Sequence, residues 1–339
     1  MKISFIAWID YNRRSEILAQ YFGASIHHIS FGRRGVKWQI PIRYFVQSVR
    51  TLKALFSERP GVVFAQNPPI IILLPVAAYC FLTGSKYVID SHTGVFTDFK
   101  KWLWLHKWLS KSKYALTTIV HNAEQEKIVQ EWGVRNVVLG FSEATYPQGS
   151  DFPLKDGPTI AFSCACAPDE PMLEVFEAAK MLPHVNFYIT GNYKRLDSSI
   201  MDQKPDNCEF TGFVSFDDYI GLMRKSDAMM VLTTRDGTLL SGGFEAASLE
   251  KPLIVSDWPI LQDYFSSGSV YVDNKADGIA KGVQEALERK DELNVGIKQL
   301  RTKLNNEWAE AGAKVNALIQ EFAESKQTTV TRQVYAETK

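Results

Sequence analysis

Short apolar runs alternate along this chain with stretches of helical periodicity. Ile3 to Ile9 reads as a strand, and Ser15 to Phe22 as a helix with Ser15 as its N-cap and Gly23 past its end. Ser25 to Ser30 is a short strand. Pro41 to Ser57 then carries Phe45, Val49, Leu52 and Phe56 at helical spacing. Strands are expected at Val62–Gln66, Tyr87–Asp90, Leu116–Val120 and Val137–Leu139, with a helix at Ala123–Trp132. The most apolar run, Ile70 to Leu82, is broken by Pro75 and too short to span a bilayer, and it reads as a buried helix.

A Pro/Gly/Asp-rich linker from about Gly140 to Pro158 interrupts the alternation. It then restarts. Strands are expected at Thr159–Cys164, Asn186–Thr190, Cys208–Thr211, Ala228–Leu232, Pro252–Ser256 and Val270–Val272. Helices are expected at Met172–Met181, Phe216–Lys225, from Phe244 onward, and through Ala276–Glu324. The polar tail, 325–339, is expected to fray. Alternating strands and helices imply βαβ units and parallel sheets, so the chain is α/β and built from two similar halves. In such sheets ligands sit at the carboxyl ends of the strands. Halves that face one another would place both sets of strand ends on one interdomain cleft.

Composition narrows the partners. Net charge is zero, so no global field draws the chain to nucleic acid, and no nucleic-acid motif is present. Cys80, Cys164, Cys166 and Cys208 form neither a CxxC pair nor a zinc spacing. Cys164 and Cys166 alternate along an expected strand and read as core thiols in a reducing compartment. The start, MKISFIAWID, lacks the parts of a secretion signal, so a cytoplasmic location is expected. One segment stands apart. Phe99 to Tyr114 interleaves Trp102, Trp104 and Trp108 with Lys100, Lys101, Lys107, Lys111 and Lys113. It is either a peripheral membrane contact, at the inner face of a membrane, or a domain helix that buries its tryptophans.

Polar residues gather after the strands. Asp10, Arg13 and Arg14 follow the first, Asn67 the third, His92 the fourth and His121 the fifth. Asp10 suits a general base facing a cleft, or else a helix cap. His92, with Asp90 two residues earlier to orient it, is either a site residue or a structural one. His121 is a cap, a cleft wall or a participant. In the second half, Lys194 and Arg195 could neutralise a diphosphate or lie solvated in a loop. The stretch from Thr233 to Asp257 holds Arg235, Asp236, Leu240, Ser241, Gly242 and Glu245 at a helix entrance. Such an entrance offers unpaired N–H groups to an anion, and glycines permit close approach. Glu245 could take a ribose hydroxyl or be a solvated helix-start glutamate.

Two blocks carry a resemblance. TGFVSFDDYIGLMRKSDAMMVLTTRDG, from Thr211, and FEAASLEKPLIVSD, from Phe244, look like the donor-binding half of the GT-B glycosyltransferases, especially the family-4-like group. The loop Asp10-Tyr11-Asn12-Arg13-Arg14-Ser15, the turn Gln66-Asn67-Pro68-Pro69 and the strand end Asp90-Ser91-His92 resemble the chitobiosyldiphosphodolichol β-mannosyltransferase group. The resemblance implies two Rossmann-like domains facing a cleft. Residues 1–145 would bind the acceptor and 155–324 the nucleotide sugar, with the final helix able to pack back on the first domain.

The activity implied is transfer of a hexose from a nucleotide-diphosphate sugar to a hydroxyl on a lipid-linked or polysaccharide-precursor glycan. Neither metal nor cofactor is expected beyond the donor itself. The donor base would lie near Gly212, Phe213 and Val214, the ribose on Glu245, and the diphosphate by Leu240, Ser241, Gly242, Lys194, Arg195, Arg235 and Asp236. Asp10 and His92 would be catalytic, and Arg13, Arg14, Asn67 and His121 would hold the acceptor. Two departures stand out. The family's first donor-site glutamate falls on Gly237, and its lysine before the first helix of the second domain is replaced by Pro168-Asp169-Glu170-Pro171. They leave two alternatives: a non-catalytic sugar-nucleotide or glycan-binding relative, and a sugar-nucleotide epimerase of the same fold.

Overall fold

The computed structural model describes residues 1–32, 36–140 and 146–337, and in it the apolar runs become parallel strands. The chain divides into two compact units, residues 1–142 with 306–339, and residues 143–305. The linker expected from Gly140 falls partly on 141–145, outside the described residues, as does the expected domain edge at 145.

The first unit is built from β1 (Ile3–Ala7), α1 (Arg13–Tyr21), β2 (Ser25–His28), α2 (Ile40–Glu58), β3 (Val62–Asn67), α3 (Leu73–Thr83), β4 (Lys86–Ser91), α4 (Thr93–Thr97), α5 (Leu103–Ser110), β5 (Ala115–Val120), α6 (Ala123–Glu131) and β6 (Asn136–Val138). Its strands lie in the order β2-β1-β3-β4-β5-β6, all parallel. Apolar residues on both sheet faces explain the continuous hydrophobic runs. Phe5, Phe64 and Val88 pack on one face with Leu18 of α1 and Phe22 just after it. Val63, Ala65 and Ile89 pack on the other with α3, α5 and Leu55 of α2.

The second unit continues with β7 (Thr159–Phe162), α7 (Met172–Met181), β8 (Asn186–Thr190), α8 (Ser198–Met201), β9 (Cys208–Gly212), α9 (Phe216–Lys225), β10 (Ala228–Val231), α10 (Ser241–Ser248), β11 (Leu253–Ser256), α11 (Pro259–Tyr264), β12 (Ser269–Val272) and α12 (Ala276–Glu288). The strand order is β12-β11-β10-β7-β8-β9, again all parallel. Its core joins Ile160 and Phe162 to Phe176 of α7 and Val283 of α12. A last helix, α13, runs from Lys290 to Glu337. Leu293 lies in the core of the second unit; Ala311, Val315 and Ile319 lie in that of the first. Residues 325–337, expected to fray, continue this helix.

Topology fixes where a ligand can sit. In each sheet the strand order reverses beside the first strand: between β1 and β3, and between β7 and β10. Loops leaving adjacent strands in opposite directions open a crevice at that point.

Several local expectations need correction. Asn12, not Ser15, caps α1, because its Oδ1 accepts from the Ser15 N–H at 3.1 Å. Ile70–Ile72 is a 3-10 turn ahead of α3, and Pro75 is tolerated in the first turn of α3, where no intrahelical N–H bond is lost. The end of that run is not buried, since Phe81 and Leu82 are exposed. Strand β7 stops at Phe162. Cys164 and Cys166 therefore lie in a loop, with their sulfurs 4.0 Å apart. Helix α10 begins at Ser241 rather than Phe244, which places Glu245 in its second turn.

Candidate functional site

In the first unit, the crevice between β1 and β3 holds a cavity of about 480 Å3. Ile9 and Asp10 border it after β1, Gln66 at the end of β3, Pro68 and Pro69 just beyond it, and His92 after β4. Arg43, Tyr44 and Gln47 of α2, and Phe99, line it further. Asp10 and His92, the two expected catalytic residues, thus share one cavity. Asn12 does the capping, so Asp10 is not needed for it.

His92 is held from behind. Its Nε2 lies 3.2 Å from Asp90 Oδ2 and 2.7 Å from the Gln66 side-chain amide. An ionised Asp90 draws the ring proton to Nε2, which then cannot accept from an N–H. Gln66 meets that proton best through its amide oxygen, which otherwise has no hydrogen-bond partner. Asp90 is fully buried. Burial alone would raise its pKa, but the Arg14 guanidinium, His92 and His121 outweigh burial and hold it well below the usual carboxylate range. Arg14 Nη2 lies 3.2 Å from Asp90 Oδ1, and the guanidinium also donates to the carbonyls of Leu139 and Gly140. His121, its ring tilted against that of His92 at 4.5 Å between centroids, is kept neutral, its pKa pushed down to about 3 by burial and by Arg14.

The expected acceptor residues therefore divide differently. Arg13, Arg14, Asn67 and His121 lie outside the cavity lining. Arg14 and His121 are buried supports of Asp90. Asn67 is fully buried beside Gln66, because successive strand residues point to opposite sides. Gln66, Tyr44 and Gln47 were missed. Gln66 stood in the quoted Gln66-Asn67-Pro68-Pro69 turn; nothing in the sequence marks the two residues of α2.

Asp90, His92 and His121 bring three ligand atoms within 4.8 Å of one another. Arg14 already sets a positive charge on Asp90 Oδ1, which opposes a dication there, and we assign no ion to the group.

In the second unit, the crevice between β7 and β10 collects a different set. Tyr219 of α9 donates to Glu245 Oε2 at 2.5 Å, so the Ser163 hydroxyl, 2.8 Å from Tyr219 Oη, donates to Tyr219. Burial, then the Glu245 charge, raises the Tyr219 pKa far above its ordinary value, and the phenol stays a donor. Gly242, at the start of α10, lies in a tight space. A Cβ there would lie 3.0 Å from Val231 and 3.1 Å from Ser163 Oγ. The N–H groups of the first turn and the Glu245 carboxylate are thus gathered at one helix entrance.

The two departures also have a physical basis. Gly237 has φ +71°, a conformation that strains any residue with a side chain. A glutamate is disfavoured there by the backbone itself. In the loop after β7, Glu170 accepts from the N–H groups of Ala165 and Ala167, at 3.0 and 2.7 Å. An internal carboxylate fills this turn, where the resemblance implies a lysine. Neighbouring Asp169 accepts from Thr233 Oγ1 and lies 3.9 Å from Arg235, which is otherwise solvated. Asp236 accepts from the Gly237 N–H. Lys194, Gly212 and Phe213 line a separate cavity of about 560 Å3 after β8 and β9; Arg195 and Val214 lie outside its lining.

These two sheets, with their crevices at the reversal points, are the fold of the GT-B glycosyltransferases, two Rossmann-like α/β units. Residues 173–312, which contain α9, β10 and α10, match the family described as Glycosyl transferase-like. No curated protein sequence matches the chain. Solved structures match along nearly its whole length. A glycosyltransferase from Rickettsia africae is 12% identical with TM-score 0.69, over 95% of this chain and 98% of that one. The Anabaena HepE protein, solved with UDP-glucose, is 14% identical with TM-score 0.62, over 97% and 100%. A Listeria monocytogenes protein named as a candidate UDP-N-acetylglucosamine 2-epimerase is 13% identical with TM-score 0.64, over 96% and 97%.

Among the described residues, no helix is long and apolar enough to cross a membrane.

Proposed function

We propose that this chain is a glycosyltransferase that binds a nucleotide-diphosphate sugar on its second unit and a hydroxyl acceptor on its first. The observation that carries the reading is the Ser163–Tyr219–Glu245 chain at the entrance of α10, whose Tyr219 and Glu245 fall in the segment that matches the glycosyltransferase family. Glu245, fixed by Tyr219, receives the ribose hydroxyls. The N–H groups at the start of α10 receive the diphosphate, as helix entrances do for anions generally. Lys194, Arg195 and Arg235 supply the positive charge, and the base rests by Gly212 and Phe213. The step is metal-independent, with the leaving diphosphate stabilised by these fixed dipoles and cations.

On the acceptor side, His92 is the base of choice. Asp90 orients the ring through Nε2, which leaves Nδ1 to accept the proton of the acceptor hydroxyl. Asp10 faces the same cavity and serves the acceptor or, in its place, the proton. The acceptor is a glycan hydroxyl, lipid-linked or part of a polysaccharide precursor, and the protein works on the cytoplasmic side. Retention or inversion at the sugar depends on whether a carboxylate replaces the one missing at Gly237.

A second reading, a sugar-nucleotide epimerase, is favoured by the grouping of Asp90, His92 and His121 and by the likeness to the Listeria protein. One experiment separates the two. The chain is incubated with a nucleotide sugar, with and without a glycan acceptor. Nucleoside diphosphate released in proportion to a new glycan product supports transfer. A changed sugar configuration with donor alone supports the epimerase. Nucleotide binding without either product leaves a non-catalytic binding protein.

A further inference from the structure

The first unit carries an apolar surface that its own fold does not cover. Helix α2 turns Gln47, Thr51 and Leu55 inward. Gln47 donates to the Ile29 carbonyl at 2.8 Å, and Thr51 accepts from Trp8 Nε1 at 2.9 Å, both buried. Of the residues that periodicity marks as apolar, Phe45 (70% exposed), Val49 (50%) and Phe56 (46%) face outward, with Ile42 (52%) one turn ahead of them, while Leu52 is half-buried against the core. Trp38, just before the helix, is exposed as well. A contiguous apolar face of this length marks an interaction surface.

A second strip lies close by. The turn Lys100–Trp102 and helix α5 bury Leu105 and Leu109 and leave Trp102, Trp104 and Trp108 in solvent. The tryptophans are therefore not the core of the unit. Helix α3 packs against both α2 and α5, so the strips share one side of the sheet. Both also reach the 480 Å3 cavity, through Arg43 and Tyr44 on one side and Phe99 on the other.

Charge identifies the occupant. Residues 38–57 contain Arg43, Arg50 and Lys53 and no acid, and residues 99–123 contain five lysines and no acid, in a chain of zero net charge. A two-fold dimer through this face would set like charge on like charge. Aromatic side chains interleaved with lysines suit the boundary between lipid headgroups and acyl chains. We propose that this face docks the protein on an anionic phospholipid bilayer, with the α2 stripe and the three tryptophans in the interface and the cationic side chains on the headgroups. The cavity then opens beside the membrane. This deepens the glycosyl-transfer reading and rests on it for one consequence, that the acceptor is carried on a lipid.

The test is co-sedimentation of the full chain with vesicles of phosphatidylglycerol and phosphatidylcholine in equal parts, and of phosphatidylcholine alone. Binding is expected to the first, to fall as salt rises, and to be weak to the second. Phe45→Ser with Val49→Ser, and separately Lys100→Glu with Lys101→Glu, are expected to lower the partition coefficient by at least about tenfold. All four positions are in or beside solvent, and circular dichroism confirms that the variants fold. The melting shift induced by nucleoside diphosphate should be the same in wild type and both variants, which separates a failure of docking from a failure of the donor site. Wild type left in the supernatant, or variants that bind as wild type does, overturns the proposal. So does a wild-type dimer in sedimentation equilibrium, or a protein complex, that Phe45→Ser abolishes.

Discussion

Asp90 Oδ2 sits 3.2 Å from His92 Nε2, and its other oxygen is held by Arg14 at the same distance. One buried carboxylate therefore ties a cavity-lining imidazole to the body of the sheet. Such a pairing fixes both the ring and its tautomer. Replacing His92 by Ala should lower kcat/KM for transfer by about 100-fold or more, the usual worth of a positioned base. The melting temperature should barely change, because His92 borders an open cavity. Activity within a few-fold of wild type would remove His92 from the chemistry.

Asp90→Asn should behave differently. It leaves the Arg14 charge buried without a counter-charge, which typically costs about 3–5 kcal/mol. Denaturant unfolding should show that loss along with the loss of activity. A variant as stable as wild type would mean that Arg14 is not a buried cation.

Two histidines make the first unit acid-sensitive. His106 is fully buried between Ser91 and Ser110, and burial pushes its pKa down to about 3, as for His121. In the unfolded chain both titrate near pH 6.5. The unfolded state thus binds more protons below that pH. Their contribution is complete above about pH 6.5 and is lost as pH falls toward 3, each histidine adding roughly 1 kcal/mol per pH unit to the decline. The Asp90 carboxyl acts in the same direction once pH drops below the ordinary carboxylate range. Denaturation midpoints measured between pH 7 and 4 should fall less steeply in His106→Asn than in wild type. Parallel slopes would contradict the assignment.

Gly237 tests whether the chain could have kept the family's first glutamate. With φ +71°, Gly237→Ala should cost about 1 kcal/mol through backbone strain alone. Gly237→Glu should cost at least as much and should not improve donor affinity. A stable, tighter-binding glutamate variant would show that the turn adapts.

Much of the fold was legible because parallel strands buried on both faces read as unbroken apolar runs, and both sheets were anticipated from them. The faces of helices were less legible. The 45–49–52–56 stripe of α2 announced a helix, but periodicity says nothing about which side meets the core, and here the side with Gln47, Thr51 and Leu55 does, while Phe45, Val49 and Phe56 stay exposed. The start of α10 lies three residues before the expected one because Ser241-Gly242-Gly243 has poor helix propensity; the close packing of Phe265 on Gly243, invisible in sequence, favours glycine there. Arg14 looked like a ligand-binding residue beside Arg13. Only the fold shows that it reaches Asp90, 76 positions away. The choice of Asn67 over Gln66 was a one-residue error that strand alternation turns into opposite sides of the sheet.

The donor site is the centre of the account, and a thermal-shift titration with nucleoside diphosphates and their sugars tests it most directly. A ligand that binds only the native state raises the melting temperature, by an amount that grows with the logarithm of its concentration over Kd. Wild type is predicted to shift with at least one nucleoside diphosphate. Glu245→Ala should need about 10–100-fold more ligand for the same shift, the cost of losing charged hydrogen bonds to the ribose. A wild type that no nucleotide stabilises, or a Glu245→Ala variant that responds as wild type does, would contradict the reading of α10 as the donor site.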